Sequence, residues 1–118
     1  MTHKDLKVWN DSIELTKEVY ELTSNLPKQE MYGLTSQMRR CAISIPSNIS
    51  EGAARSSTKE FIRFIDIARA SLAELDTQII ISKKLNFVSE DSKIETKIVG
   101  IKFMLTALKK SLSRKLKS

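Results

Sequence analysis

Six aliphatic residues near the end of the chain recur at alternating intervals of four and three, the spacing that places them along one side of an α-helix. They are Ile94, Ile98, Ile101, Leu105, Leu108 and Leu112, and Leu116 continues the row. A row of this length is typical of the buried seam of a helical bundle. The chain also has 3 glycines and 2 prolines in 118 residues, too few for the many turns of a β-sandwich or barrel.

Three earlier segments also have helical spacing, and the connections between them are short. Ser57 and Glu60 have the spacing of a capping box that begins the third helix, Gly52 and the run 53–57 are expected to end the second, and residues 89–91 are expected to cap the fourth. The sequence therefore predicts an all-α, antiparallel up-and-down four-helix bundle, with 1–118 as a single domain. The helices are expected at about 5–22, 34–54, 58–85 and 90–115.

The first helix has apolar residues on two sides, whereas a helix buried on one side needs a single row. Ile43 of the second helix and several isoleucines of the third also lie outside the rows that one core requires. We therefore expect copies of the chain to associate as a homo-oligomer. The two rows of the first helix are Leu6, Trp9, Ile13 and Tyr20, and Val8, Leu15, Val19 and Leu22; the surplus isoleucines of the third are Ile62, Ile67, Ile80 and Ile81.

Polar residues border the apolar face of the second helix, and Pro46 interrupts its hydrogen bonding. Pro46 cannot donate to the carbonyl of Ala42, so we expect a kink there and a freed acceptor that the polar residues could satisfy. This polar stripe is either a ligand or RNA site or, as we favour, a set of structural contacts with the third helix, across the bundle or across a subunit boundary. Its predicted members are Gln37, Arg40, Ser44, Asn48, Glu51 and Arg55, facing Arg69, Glu74, Asp76 and Gln78.

Positive charge is concentrated at the end of the chain. The formal net charge is +6, and residues 93–118 hold eight basic side chains against Glu95, a surplus of +7. This fourth helix is either a solvated face that favours solubility or a surface that attracts the phosphates of RNA or DNA. The candidate nucleic-acid-binding residues are Lys102, Lys109, Lys110, Arg114, Lys115 and Lys117.

The residues that usually carry catalysis or bind cofactors are scarce. His3 is the one histidine of the sequence, so the Glu-x-x-His pairs of a di-iron bundle are missing. Cys41 lies on the apolar row of the second helix and is interpreted as a core residue. Glu51 and Glu74 could act as acid and base, but no nucleophile accompanies them. We expect a non-enzymatic protein with no catalytic, metal or cofactor site, located in the cytoplasm and without a membrane span.

Several runs of the chain resemble the 23S rRNA-intervening sequence protein family, and their order and spacing agree over nearly the whole length. They are LKVW at 6–9, YGLTSQMRR at 32–40, SIPSNISEG at 44–52, FIRF at 61–64 and ARASLAELDTQ at 68–78. The sequence departs slightly from the family's usual pattern at Ser50 and Ala70, where many relatives have alanine and glycine.

The resemblance implies an up-and-down four-helix bundle that assembles as a homopentamer around a central channel. Its members include the accessory variability proteins of diversity-generating retroelements, which associate with nucleic acid and a reverse transcriptase. The leading functional hypothesis is an oligomer that binds RNA or DNA through its basic last helix. The alternative is a structural or protein-partner scaffold, for example one accessory to a reverse transcriptase, without direct nucleic-acid binding.

Overall fold

A computed structural model describes residues 2–117, and in that range the chain is all-α, as the sequence predicts. Four helices pack together, with two short 3₁₀-helices at His3–Asp5 and Lys28–Glu30 and no strand among these residues. The long helices are α1 (Lys7–Thr23), α2 (Leu34–Ala53), α3 (Thr58–Lys84) and α4 (Ile94–Lys117). The molecule is elongated, with extents of 50 × 24 × 20 Å.

In each pair of consecutive helices, residues late in one helix contact residues early in the next. Each of the pairs α1–α2, α2–α3, α3–α4 and α1–α4 is in contact, so the four form a closed circuit around the core. This order is that of antiparallel neighbours, in keeping with the up-and-down arrangement that the sequence predicts. Contacts that show it are Thr23–Arg39 and Thr16–Ala42, Met38–Ser82 and Ser44–Ser71, and Lys83–Glu95 and Asp66–Lys109.

The predicted seam of α4 faces the core along most of its length. Leu108 is half-buried, whereas Leu116 is exposed because it lies at the far end of the helix. Leu116 therefore has the spacing of the row but is not buried as the other members of the row are. The buried members are Ile94, Ile98, Ile101, Leu105 and Leu112, which pack with Leu15, Val19, Met38, Ile45, Ile49, Ile65, Leu72, Leu75 and Ile79.

Of the two apolar rows on α1, the row that contains Val8, Leu15 and Val19 faces the core. The other row is divided, because Leu6 and Trp9 pack against the core, whereas Ile13 is 41% exposed and Tyr20 is also exposed. The surplus isoleucines divide in the same way: Ile62 packs against the core, whereas the outlying isoleucines of α2 and α3 are partly exposed. Those exposed are Ile43, Ile67, Ile80 and Ile81.

The predicted start of the fourth helix is wrong. The helix begins at Ile94, about one turn later than expected, and residues 89–91 form a separate turn in which the Ser89 hydroxyl accepts from Asp91 N at 3.1 Å. Buried Val88 anchors this connection to the core, which keeps the chain from turning into the helix at once. The start of α3 is as predicted, because Ser57 Oγ accepts from Glu60 N at 3.2 Å.

Asn86 completes the end of α3 in a left-handed conformation. Its φ is 64°, Asn86 N donates to Lys83 O at 3.0 Å, and Phe87 N donates to Ser82 O at 2.9 Å. These two bonds make a Schellman motif, which satisfies carbonyls that the last turn would otherwise leave without donors. Asparagine tolerates this conformation better than most residues other than glycine.

The helix α2 continues through Pro46, and the carbonyl that Pro46 leaves without a backbone donor is used by a different helix than expected. The Thr16 hydroxyl of α1 lies 3.2 Å from Ala42 O and 2.8 Å from Ser12 O, so its proton is shared between them. The predicted donor from the polar stripe is therefore wrong for this carbonyl. Thr16 ties α1 to α2 at the proline instead.

The helix α2 ends within the run from Gly52 to Ser57 where the sequence predicts its end, but Gly52 does not adopt a left-handed conformation there. The helix includes Gly52 and ends at Ala53, and none of the described glycines has a positive φ. A Cβ at Gly52 would lie 2.8 Å from Phe64 Cβ and 2.9 Å from Phe61 Cδ1. The missing side chain therefore permits the close approach of α2 and α3.

Candidate nucleic-acid interface

Five of the six predicted basic residues of α4 lie along the side of the helix that meets α3. With one arginine of α3 they line two adjoining depressions, of about 400 Å³ and 630 Å³, which share Arg69 and Lys109. The hydroxyl-bearing residues Thr106 and Ser113 line the smaller depression too. We call this surface the basic groove and define it by Arg69, Lys102, Lys109, Lys110, Arg114 and Lys117.

Lys115 does not belong to the basic groove. Successive residues of a helix point about 100° apart, so Lys115 is turned away from the side that Arg114 and Lys110 share. It is exposed and is not among the residues that line either depression. Charge along the chain does not distinguish one side of a helix from another, so the sequence could not separate Lys115 from the other five. Its role in binding stays a prediction.

Asp66 of α3 holds two of the groove's cations in place. Its Oδ1 atom accepts from Lys109 Nζ at 2.9 Å and from Arg69 Nη1 at 3.1 Å. The hydrogen bond from Lys109 is the main reason that the pKa of Asp66 lies below its usual value, and burial opposes it. One carboxylate shared by two cations orients both side chains without cancelling both charges.

The groove remains strongly positive after its acidic residues are counted. Asp66 and Asp76 line the larger depression, so six basic side chains face two acidic ones, a surplus of four positive charges. The floor of the larger depression is apolar, with Ala73, Leu72 and Ile98 beside these charges. Cations on a partly apolar floor experience less dielectric screening than cations on an open surface, which strengthens their attraction for an anion.

Within one copy of the chain, Arg69 and Asp76 lie away from the polar stripe of α2. Both lie on the side of α3 that faces α4, where they line a depression with Lys102 and Ile98 of α4. Their pairing with α2 therefore does not occur across the bundle, and pairing across a subunit boundary stays a prediction. The sequence could not show this, because deciding which side of α3 faces α2 requires knowing where each neighbouring helix lies.

The remaining members of the stripe make contacts that connect α2 with itself and with α3. The hydroxyls of Ser44 and Ser71 are 2.9 Å apart, and Asn48 Nδ2 donates to Ser44 O at 2.8 Å. Arg55 donates to Glu51 Oε1 at 2.6 Å, within α2. These are bonds of helix packing, the kind of role that the structural interpretation assigns. Gln37 and Arg40 lie exposed at the surface of α2.

Glu74 and Gln78 do face α2, and both meet Cys41. The Cys41 Sγ atom lies 3.6 Å from Glu74 Oε2 and 3.5 Å from Gln78 Nε2. Burial raises the pKa of the Cys41 thiol, with smaller contributions from neighbouring groups, so the thiol stays protonated at neutral pH. Cys41 is thus a buried residue of the α2–α3 contact, as predicted.

Metal-binding chemistry finds no support in residues 2–117, where no group of three or more His, Cys, Asp or Glu side chains could hold an ion. None of the helices in the described part of the chain has the length and apolarity needed to cross a bilayer.

Two residues of the α3–α4 side were not identified from the sequence as candidates for binding. Arg69 completes the groove from α3, and Phe103 stands 71% exposed on α4. A signal for Phe103 does exist in the sequence, because it falls between Ile101 and Leu105 and so outside the buried row. For Arg69 the sequence holds no such signal.

The fold and the groove together define a small four-helix protein with a basic cleft between its last two helices. The chain belongs to the 23S rRNA-intervening sequence protein family, whose sequence pattern matches residues 4–107. A comparison with curated proteins gives no match. The family match ends before Lys109, so it covers α3 and the first part of α4 but not the last four cations of the groove.

Proposed function

We propose that this protein is a non-enzymatic nucleic-acid-binding protein and that the basic groove holds the phosphate backbone of RNA or DNA. The observation that carries the proposal is the convergence of six cations from two helices on one side of the bundle, with a surplus of four charges. A basic face needed for solubility alone would have no reason to recruit Arg69 from a second helix. Release of counterions from the phosphates then drives binding.

The chemistry of the groove favours contacts with the backbone over the reading of bases. Lysine side chains meet phosphates as flexible point charges, and the hydroxyls of Thr106 and Ser113 can donate to phosphate oxygens beside them. Binding is therefore expected to tolerate many sequences and to weaken steeply as salt rises.

Three exposed lysines of the groove give the sharpest test of this proposal. Replacing Lys102, Lys110 and Lys117 together by glutamine leaves the contacts among Asp66, Lys109 and Arg69 intact. Binding of a fluorescently labelled RNA or DNA strand is followed by anisotropy over a series of salt concentrations. We expect weaker binding, and a slope of log K against log salt that is shallower by about 2 for a single strand.

A matched control removes the same charge from the opposite end of the bundle. Lys28, Lys84 and Lys93 are exposed and lie where α1 and α3 end and α4 begins. Replacing these three by glutamine should leave the salt slope near that of the unaltered protein. Equal losses in both triple variants would show that net charge alone governs binding and would overturn the assignment to the groove, as would failure of the unaltered protein to bind at low salt.

We also propose that copies of the chain associate, as a pentameric ring in line with the family resemblance. Support comes from a run of exposed apolar side chains along the α1–α2 seam, where two shallow depressions share Ile43. Tyr32 is 97% exposed there, beside Met31, Tyr20 and Ile13. A cluster of exposed apolar side chains of this kind often marks an interface. Light scattering at micromolar concentration tests this, and a monomer would refute it.

The same apolar surface supports a second candidate function, a scaffold that docks a protein partner such as a reverse transcriptase without binding nucleic acid itself. Capture of partners from a lysate, with and without nuclease treatment, separates the two functions. A partner retained after nuclease, together with no binding of purified RNA or DNA, would favour the scaffold. Loss of all captured material after nuclease would favour the basic groove.

A further inference from the structure

Phe103 is an aromatic side chain exposed in the middle of a basic helix. It is 71% exposed, and Val99, one turn earlier on the same helix, is 49% exposed. Leaving a phenylalanine in water forgoes the stabilisation of burying it. A helix face that served only to keep the protein dissolved would have no use for this residue.

Phe103 shares its side of α4 with cations of the basic groove. Residues seven apart lie almost in line along a helix, so Phe103, Lys110 and Lys117 form one row, with Thr106 next to it. At 1.5 Å per residue, successive members of this row are about 10 Å apart. The aromatic ring therefore stands at one end of a line of positive charge, within reach of the same extended ligand.

The charge around Phe103 argues against its burial by the same face of a second copy. Such a contact would bring Lys102 and Lys110 of one copy towards the same lysines of the other, and like charges in contact are unfavourable. A ligand that carries both negative charge and flat apolar surface can contact every residue of this row, the lysines through its charge and Phe103 through its flat surface. Single-stranded nucleic acid has that composition, because its phosphates are charged and its bases have free faces.

We propose that Phe103 is a stacking platform and that the basic groove selects single-stranded over double-stranded nucleic acid. This inference rests on the proposed function and adds the class of ligand to it. An unpaired base lies on the Phe103 ring, and the phosphates that follow along the strand meet Lys110 and Lys117. The bases of a duplex already stack on one another, so a duplex can use the lysines but not the ring.

The test compares Phe103→Ala with Val99→Ala, a matched loss of exposed apolar surface four residues away on the same helix. A labelled single strand of about sixteen nucleotides and a duplex of the same length serve as ligands, read by anisotropy at fixed salt. We expect the Phe103→Ala variant to bind the single strand roughly five- to hundredfold more weakly, with little change for the duplex. Val99→Ala should change neither by much.

A conservative variant supplies a second readout. Phe103→Trp keeps the flat ring and should bind the single strand as well as the unaltered protein does. Its fluorescence should be quenched on binding, above the background from Trp9, the one tryptophan of the natural sequence. Circular dichroism of each variant verifies the helical fold, which an exposed side chain should not disturb.

The inference and the proposed function can fail separately. Equal binding of single strand and duplex, or no loss of binding in Phe103→Ala, would overturn the stacking role; if the lysine variants still weaken binding and flatten the salt slope, the groove keeps its function. Equal losses in Phe103→Ala and Val99→Ala would also overturn the stacking role, because they would show a general apolar contact. If neither ligand binds the unaltered protein at low salt, both proposals are refuted.

Discussion

The helices α2 and α3 approach each other closely at Gly52, and adding one methyl group there tests how tight this contact is. In the Gly52→Ala variant the new Cβ would lie 2.8 Å from Phe64 Cβ and 3.3 Å from Phe61 O. Both of these atoms are fixed to the backbone of α3, so rotation of a side chain cannot remove the overlap. Relief requires that α2 and α3 move apart, which loosens the core beneath them.

Two opposing contributions set the size of the effect. Alanine is the better helix former by about 1 kcal/mol in a helix interior, and by less near a helix end such as Ala53. Overpacking of a well-packed contact costs about 1–3 kcal/mol. We therefore expect Gly52→Ala to lower the free energy of unfolding by about 1–2 kcal/mol.

Gly100 provides the matched control, since a Cβ there would meet no atom within 4 Å. With no overlap to relieve, Gly100→Ala should raise the free energy of unfolding by about 0.5–1 kcal/mol. Urea unfolding followed by circular dichroism measures both variants, at one protein concentration because association would shift the midpoint. Stabilisation of the protein by both substitutions would refute the tight α2–α3 contact.

Two further predictions follow from single residues. Asp66→Asn removes the carboxylate whose pKa Lys109 lowers. In the unfolded chain this carboxylate has a pKa of about 3.9, and above that pH it stabilises the fold. The stabilisation is lost as the pH falls through the lower pKa of the folded state. In urea unfolding, the free energy of unfolding of the variant should be lower than that of the unaltered protein by no more than about 1 kcal/mol at pH 7, and by less at pH 3. A difference that does not change with pH would contradict this. Anisotropy should show tighter RNA binding by the variant. Asn86 has a left-handed backbone, so Asn86→Ala should lower the free energy of unfolding by about 1 kcal/mol, whereas Asn86→Gly should not. Equal melting temperatures for the two variants would refute the claim that alanine is strained at this position.

The sequence was sufficient for the parts of the fold that depend on spacing within one helix. The α4 row has the burial that its periodicity predicts, except at Leu116, and Ser57 caps α3 as its spacing with Glu60 indicates. Both features are local, so a single segment holds all the information needed. The start of α4 was missed because residues 89–91 have the composition of a cap, and burial of Val88 overrides that local preference.

Features that depend on two helices were harder to predict. The sequence predicts the end of α2 near Gly52, but the close contact at Gly52 depends on Phe61 and Phe64 of the next helix. Which neighbour Arg69 faces within one copy depends on where α4 lies beside α3, which the sequence does not show. The basic groove could therefore be predicted only as a charged stretch of one helix, and its second wall required the structure.

The positions of the two surfaces bear on how association and binding would combine. The contacts run in a circuit from α1 through α2 and α3 to α4 and back, so the α1–α2 seam lies opposite the α3–α4 seam. A ring joins the apolar α1–α2 surface of one copy to a different surface of the next copy, and a second surface away from the α3–α4 seam would leave every basic groove open to solvent. A long strand could then engage several grooves at once, and its affinity would exceed that of one groove without any new contact.

A monomeric variant should therefore lose affinity for long strands while keeping it for short ones. Replacing Ile43 by serine in the apolar seam tests this, and equal losses for long and short strands would contradict it.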